Sequence, residues 1–421
     1  MKTHTKIYLD RLVGLPIAWL LNGAARILGK LLKRDHSINP ESIRTIVISK
    51  YVGMGSIIQA TPLIRSIRAA YPQAKLIFVT GQSCRRMVER LEHIDRIITV
   101  DDRGLFPVAW TSLRTITMLV LARVDLYFDL EVYSAYASIM ALLSLARNRI
   151  GFYRESAEHK RGNYTHLMFF NTRSPIRHIY MQLGRLGGCE PIEPDRLGRI
   201  RVDARDREEV AAKLAEIGAD ARGYLVVNPN ASDLMIERRW PLERFAVMID
   251  RLVEQHGLPV VLIGAPADRS HVVTVADQVR VSGDRVFNLA GQLSLGGLFA
   301  LLEGAACMIT NDTGPMHMAW ALETPTVCLF GPGNPHHYAW QGSGVEILYK
   351  RIYCSPCIYE VDEPPCHGNN VCMKLIQVDE VVEAVHRILT GVSARPKEGF
   401  DPEFFSDQDS RPLGRVVRGS L

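Results

Sequence analysis

The segment richest in potential chemistry is Asn311-Asp312-Thr313-Gly314-Pro315-Met316-His317, which follows the apolar run Met308–Thr310. A buried strand that ends in a polar turn and then opens a helix presents free backbone N–H groups. Asp312 and Thr313 fall at N-cap positions, Gly314 admits close backbone approach, and a helix N-terminus favours phosphate. His317, one turn into the helix, is placed to donate a hydrogen bond to a phosphate oxygen. The plainer reading is a capped helix with a buried histidine. Three more loops weigh against it, because each follows an apolar run and would be delivered to the same sheet edge. Thr326–Phe330 leads into Gly331-Pro332-Gly333-Asn334-Pro335, and Val260–Ile263 leads into Gly264-Ala265-Pro266-Ala267-Asp268. The third, Asn228-Pro229-Asn230-Ala231-Ser232, is followed by Arg238-Arg239-Trp240-Pro241. Planar guanidinium groups suit a diphosphate, although Arg239 and Trp240 are equally compatible with a solvated loop and a core plug.

These loops require strands and helices to carry them. Short β-rich runs alternate with longer helical patterns, as in a parallel sheet covered on both faces. Strands are expected at Thr45–Ser49, Leu76–Thr80, Ile97–Val100 and Leu126–Leu130, with a helix at Ser56–Ala70 ended by Tyr71-Pro72. A less regular stretch from Gly151 to Asp206 precedes a second series, in which strands are expected at Tyr224–Val227, Val260–Ile263, Val286–Leu289, Met308–Thr310 and Thr326–Phe330. Helices at Arg244–His256, Asp268–Val279, Leu295–Ala305 and Met316–Leu322 complete this series. The pattern predicts two doubly wound α/β domains with ligands bound at strand carboxyl ends across the cleft. The expected division is an N-terminal segment and linker at 1–42, a first domain at 43–207, a second at 208–390 with a cysteine-rich loop, and a flexible tail at 391–421.

Composition agrees with that division. The chain has 421 residues, too many for one ordinary core, and is 47% hydrophobic. A formal charge of +5 without interleaved Arg and aromatic residues gives no nucleic-acid groove. The eight cysteines form no dense disulfide framework, and Cys84, Cys189, Cys307 and Cys328 lie singly, which suits a reducing compartment. Leu12–Ala25 carries no charge and is followed by Arg26, Lys30, Lys33 and Arg34. Too short and too interrupted by Pro16 and Asn22 for a simple crossing, it is expected to form an interfacial or re-entrant helix on anionic cytoplasmic lipid. The alternative is a helix packed on the protein's own surface. Cys354, Cys357, Cys366 and Cys372 form a separate cluster. Four thiols could hold zinc, but their irregular spacing favours reduced cysteines or a stapled pair.

Taken in order, the pieces from Ile46 to about Ile376 resemble glycosyltransferase family 9, the lipopolysaccharide heptosyltransferase family. They are Gly55 with Thr61-Pro62-Leu63, Asp129-Leu130, Asn228-Pro229 with Arg239-Trp240-Pro241, Asp312-Thr313-Gly314 with His317, and Phe330-Gly331-Pro332. The resemblance implies a GT-B fold, two Rossmann-like domains facing a central cleft. It also implies inverting, metal-independent transfer without a cofactor, from an ADP-heptose-like donor on the second domain to a lipopolysaccharide or lipid-linked glycan acceptor on the first, at the cytoplasmic face of the inner membrane. Donor contacts carry over to Ser232, Arg238, Asp268, Asp312, Thr313, Gly314 and His317. Arg238 stands where the family has lysine, and Asp268 near an expected glutamate. The family's catalytic aspartate is Ser56 here. Since inverting transfer needs a base near the acceptor hydroxyl, Asp129 and Glu131 become the candidates. Lys50, Ser56 and Gln59 are expected to bind acceptor, with Gly53 and Gly55 letting it approach the backbone. Ser56 also motivates an alternative, a nucleotide-sugar-binding protein without turnover. A nicotinamide-linked oxidoreductase fits less well, because no complete dinucleotide fingerprint follows the first strand.

Overall fold

The structure is a computed structural model that describes residues 3–216, 223–231, 235–281, 285–358, 360–361, 364 and 366–391. Ser232 and residues 392–421 of the expected tail lie outside the described residues. In chain order, α1 (Thr3–Leu9), a π-helical turn (Asp10–Gly14) and α2 (Leu15–Leu32) precede the first sheet. That half continues with β1 (Thr45–Ser49), α3 (Met54–Gln59), α4 (Thr61–Ala70), β2 (Lys75–Gly81), α5 (Arg85–Val88), β3 (Arg96–Val100) and α6 (Leu105–Leu121). It ends with β4 (Leu126–Asp129), α7 (Ala135–Leu143), β5 (Asn148–Tyr153), β6 (His166–Phe169) and α8 (Ile176–Leu186). The second half runs α9 (Ala204–Glu216), β7 (Leu225–Asn228), α10 (Leu242–His256), β8 (Val260–Leu262), α11 (Arg269–Ala276), β9 (Val286–Asn288) and α12 (Leu295–Glu303). It closes with β10 (Cys307–Asn311), α13 (Gly314–Ala321), β11 (Thr326–Phe330), α14 (Pro335–Tyr338), β12 (Val345–Tyr349), α15 (Val371–Lys374) and α16 (Val378–Thr390).

Both halves are six-stranded parallel sheets with one topology, β3-β2-β1-β4-β5-β6 and β12-β11-β10-β7-β8-β9. The central strands are apolar on both faces because helices cover both. In each sheet the order reverses once, between β1 and β4 and between β7 and β10. Successive loops part at these points and leave a crevice beyond the strand carboxyl ends. The register brings Ser49 opposite Asp129 in one sheet and Asn228 opposite Thr310 in the other, so the loops after β1, β4, β7 and β10 leave from the two switch points and those after β8 and β11 flank the second. Ile58 and Met87 of the first half share a buried cluster with Met316 and Trp320 of the second, and the two halves are therefore joined by apolar packing.

Several expectations are corrected. The stretch from Gly151 to Asp206, read as less regular, holds regular elements: β5 and β6 complete the first sheet, and α8 packs against α4. The helix expected over Ser56–Ala70 is two helices that meet at Ala60. Pro62 has no N–H to give the Ile58 carbonyl, and the Thr61 hydroxyl donates to it instead at 2.6 Å. At the N-terminus, a stripe every four residues faces the first domain. Lys6 pairs with Asp102, and the Asp10 carboxylate accepts from Ala135 N at 2.9 Å and Tyr136 N at 2.7 Å. Further along, Gly14 lies against Ala135, and Ala18 and Asn22 are buried. Gly162 N donates to the Asn22 side chain at 2.9 Å, and Arg26 meets Glu158 at 3.5 Å. The stripe covers about 30 Å of helix, which thus lies along the domain with Ile7, Leu12, Trp19, Leu20, Leu28 and Leu31 exposed.

Candidate active site

At the second switch point, a lattice of side-chain amides holds the loops in place. Asn228 donates to Thr310 Oγ1 at 3.0 Å and Thr313 Oγ1 at 2.9 Å, and Asn230 donates to Asn228 Oδ1 and the Ile263 carbonyl. Asn311 donates to the carbonyls of Pro229 and Asn230 and accepts from Trp240 N. Trp240 itself is buried in the core, so its role is to plug the sheet. With its hydroxyl drawn to Asn228, Thr313 does not cap α13, and a Cβ built at Gly314 meets nothing within 4 Å. The α13 N-terminus therefore faces open space with its positive end unneutralised. Arg238 reaches it from the β7 side, donating to the Asp312 carbonyl at 3.1 Å with Asp312 Oδ2 3.9 Å away. Burial raises the Asp312 carboxyl above its ordinary range and Arg238 opposes that shift. Asp268 is spent locally, accepting from Ala265 N at 3.0 Å to close its own turn.

Across the cleft, α3 meets α13. A Cβ at Gly55 would lie 2.3 Å from His317 Cδ2, so the glycine admits the histidine ring. Gln59 is buried and not open to solvent. Its Nε2 donates to the Tyr338 carbonyl at 3.1 Å and lies 3.2 Å from His317 Nδ1. A carbonyl only accepts, so the group facing Tyr338 is the NH2 end and His317 Nδ1 is the acceptor. His317 is then neutral with its proton on Nε2, and burial, aided by Arg238, pushes its pKa down to about 3. Ser56 is half-buried and hydrogen-bonds Tyr180. Beside Met54, between the halves, a groove of about 450 Å³ is lined by Gln82, Ser83, Arg86 and Leu295.

Both candidate base carboxylates lie at the first switch point, with unequal surroundings. Asp129 is wholly enclosed: Ser49 donates at 3.1 Å, Glu131 N at 3.0 Å and Lys160 at 3.2 Å, and the Tyr164 hydroxyl completes the set. Glu131 accepts from Lys50 Nζ at 2.7 Å and from the N–H groups of Tyr51 and Val52, and keeps a small exposed edge. Lys50 is raised in pKa: its burial works against the charge, but the attraction of Glu131 prevails. Lys160, Tyr164 and Tyr180 went unmarked in the sequence because nothing local distinguishes them; they join the site only through the fold. The four clustered cysteines are free thiols, and among the described residues no group of His, Cys, Asp or Glu is arranged to hold a metal ion.

Two Rossmann-like sheets with their switch points facing across a cleft define a GT-B protein. The chain belongs to glycosyltransferase family 9 (heptosyltransferase), whose model matches residues 128–367, and it is a glycosyltransferase by that membership. It is 24% identical over 352 residues to lipopolysaccharide heptosyltransferase 3 of Escherichia coli, covering 80% of this chain and 95% of that protein. Among solved structures it resembles a family 9 glycosyltransferase from Veillonella parvula, at a TM-score of 0.70 and 22% identity, covering 83% of this chain and 97% of the other. The E. coli ADP-heptose lps heptosyltransferase II matches with a TM-score of 0.67 and 19% identity, over 84% and 100% of the two chains. At these identities the structural likeness speaks for the fold.

Proposed function

We propose that the protein transfers heptose or a related sugar, with inversion, from an ADP-heptose-like donor to a lipopolysaccharide or lipid-linked glycan acceptor at the cytoplasmic face of the inner membrane. The observation that carries this reading is the uncapped N-terminus of α13, flanked by Arg238 and by a histidine whose Nε2 bears a proton. These groups suit a departing diphosphate, and by stabilising its charge they would do the work of a metal ion. Asp312, Thr313 and Gly314 shape that pocket, and the turn that Asp268 closes borders it. The names of the relatives, one of them an ADP-heptose lps heptosyltransferase, favour this donor and acceptor class. The polar groove beside Met54, walled by Gln82, Ser83, Arg86 and Glu89, suits a glycan.

Of the two carboxylates, the geometry supports Glu131 as the base. It has an exposed edge and borders the 50–56 loop, whereas Asp129 has four donors and serves as an anchor for the switch point. Lys50 orients Glu131, and Ser56 lines the acceptor side. The test is transfer of radiolabelled heptose to lipopolysaccharide extracts. Arg238→Ala and His317→Ala should each lower kcat about 100-fold or more. Glu131→Gln should lower it comparably while leaving ADP binding intact. The internal engagement of both carboxylates favours a second reading, donor binding without turnover. Tight ADP-heptose binding with no transfer to any membrane extract would establish that reading and sink the first.

A further inference from the structure

Helix α6 lies over β3 with Thr115 and Leu119 buried beneath it, and its outer face is uncovered along its whole length. Leu105, Phe106, Trp110, Leu113, Val120 and Leu121 are all exposed, Phe106 by 79% and Leu121 by 77%. Phe106, Trp110, Leu113 and Val120, four, three and seven residues apart, return to one side of the helix, and with Ala109 between them they make an apolar strip interrupted by Arg114 and Thr117. A soluble surface seldom leaves so many large apolar side chains together. The strip is also not isolated. Helices α6 and α2 both pack against α7, the Ser112 and Tyr136 hydroxyls are 2.6 Å apart, and Lys6 is paired with Asp102 just before α6. The outward apolar side chains of α1–α2 are thus on the same layer of the first domain.

The charges carried by both helical stretches are basic. From Arg11 to Arg34 the chain carries Arg11, Arg26, Lys30, Lys33 and Arg34 and no acidic residue. From Arg103 to Val124 it carries Arg103, Arg114 and Arg123 without an acidic residue, while Asp101, Asp102 and Asp125 flank the stretch, Arg103 pairing with Asp101 and Lys6 with Asp102. An apolar floor with this cationic excess complements an anionic bilayer, where acyl chains take the apolar side chains and headgroups the cations. A second copy docked through the same face would set these cations against each other.

We propose that α6 is a second lipid-binding element which, beside α1–α2, rests the first domain flat on an anionic membrane surface. The proposal rests on the membrane location in the proposed function but not on sugar transfer. It is tested with the full chain by flotation on vesicles of phosphatidylcholine alone or mixed with phosphatidylglycerol. Binding to the mixed vesicles should exceed binding to the neutral ones and weaken with salt. The triple variant Phe106→Ser, Trp110→Ser, Leu113→Ser should lower partitioning by at least about a hundredfold, since burial of one large apolar side chain is worth on the order of tenfold or more. An unchanged ADP-induced thermal shift would report that the variant folds. In a Trp19→Phe background, brominated acyl chains should quench emission that Trp110→Phe removes. A matched variant in α1–α2, Leu12→Ser, Leu20→Ser, Leu28→Ser, separates the two ideas. If it loses binding while the α6 variant keeps it, the α6 proposal is overturned and the N-terminal anchor stands. If neither variant loses binding, or the full chain ignores vesicles, both fall. A dimer in sedimentation that the α6 substitutions dissolve would name a second copy as the occupant and likewise overturn the proposal.

Discussion

At position 55 the backbone of one domain lies against the His317 ring of the other, and a methyl group there would sit 2.3 Å from Cδ2. Neither α3 nor the histidine can yield without moving its helix. Gly55→Ala is therefore expected to weaken closure by about 1–3 kcal/mol, the usual range for overpacking. Transfer should fall while ADP binding to the second domain persists, and a larger radius of gyration by X-ray scattering would check the cause. An unchanged radius with full activity would refute this role of the glycine. Gln59 acts on the same ring through its proton. Gln59→Glu would offer a carboxylate to Nδ1 in place of an N–H donor, so the proton should move to Nδ1 and the His317 pKa should rise from about 3. Histidine 15N shifts would read both changes, and a tautomer insensitive to this substitution would remove Gln59 from the positioning of His317.

At the scale of elements, the break between α3 and α4 shows how one residue type rescues another. Thr61 Oγ1 donates to the carbonyl that Pro62 leaves idle and accepts from Gly198 N at 2.7 Å. Thr61→Val strands both buried groups and is expected to cost about 1–3 kcal/mol, measurable by urea denaturation. The sequence marked the central strands well, because strands covered on both faces appear as unbroken apolar runs. It missed β5, β6 and β12, whose compositions mix apolar with polar residues: β6 (His-Leu-Met-Phe) and β12 are edge strands lying half-exposed. The donor loops were visible for a related reason, since glycine, asparagine and a capping pattern directly follow those runs. The partners of Asp129 and His317 were not, because Lys160, Tyr164 and Gln59 are distant in sequence and nothing but tertiary packing brings them near. The contact of Gln59 with His317 was hidden for the same reason, as no local pattern reveals that α13 covers it.

At the scale of the whole molecule, three histidines are buried in a neutral state: His317 at a pKa of about 3, His337 at about 4 and His159 at about 4, each lowered mainly by burial. Unfolded histidine titrates near 6.5, so from about pH 6.5 down to about 4 the unfolded chain binds more protons than the folded one. Their contribution is fully present above pH 6.5 and lost as the pH falls through that window, with a combined slope of up to about 4 kcal/mol per pH unit. Denaturation midpoints from pH 7 to 4 should show the decline, and a variant with His337→Gln should show a shallower one. Two of the three lie between the domains, His337 directing Nδ1–H to the Ser174 carbonyl at 2.5 Å, so acid should part the halves before it melts them. The order of strands adds a constraint on that parting. Every strand of the first sheet precedes every strand of the second, and α16 packs on α10 and the β10–β12 edge of the second sheet. The described chain thus passes between the sheets once, through the segment after α8. That lone tether sets the effective molarity at which the cleft re-forms. Cleaved there by an inserted protease site, the enzyme would become a pair of fragments whose activity depends on dilution, turning cleft closure into a measurable dissociation constant.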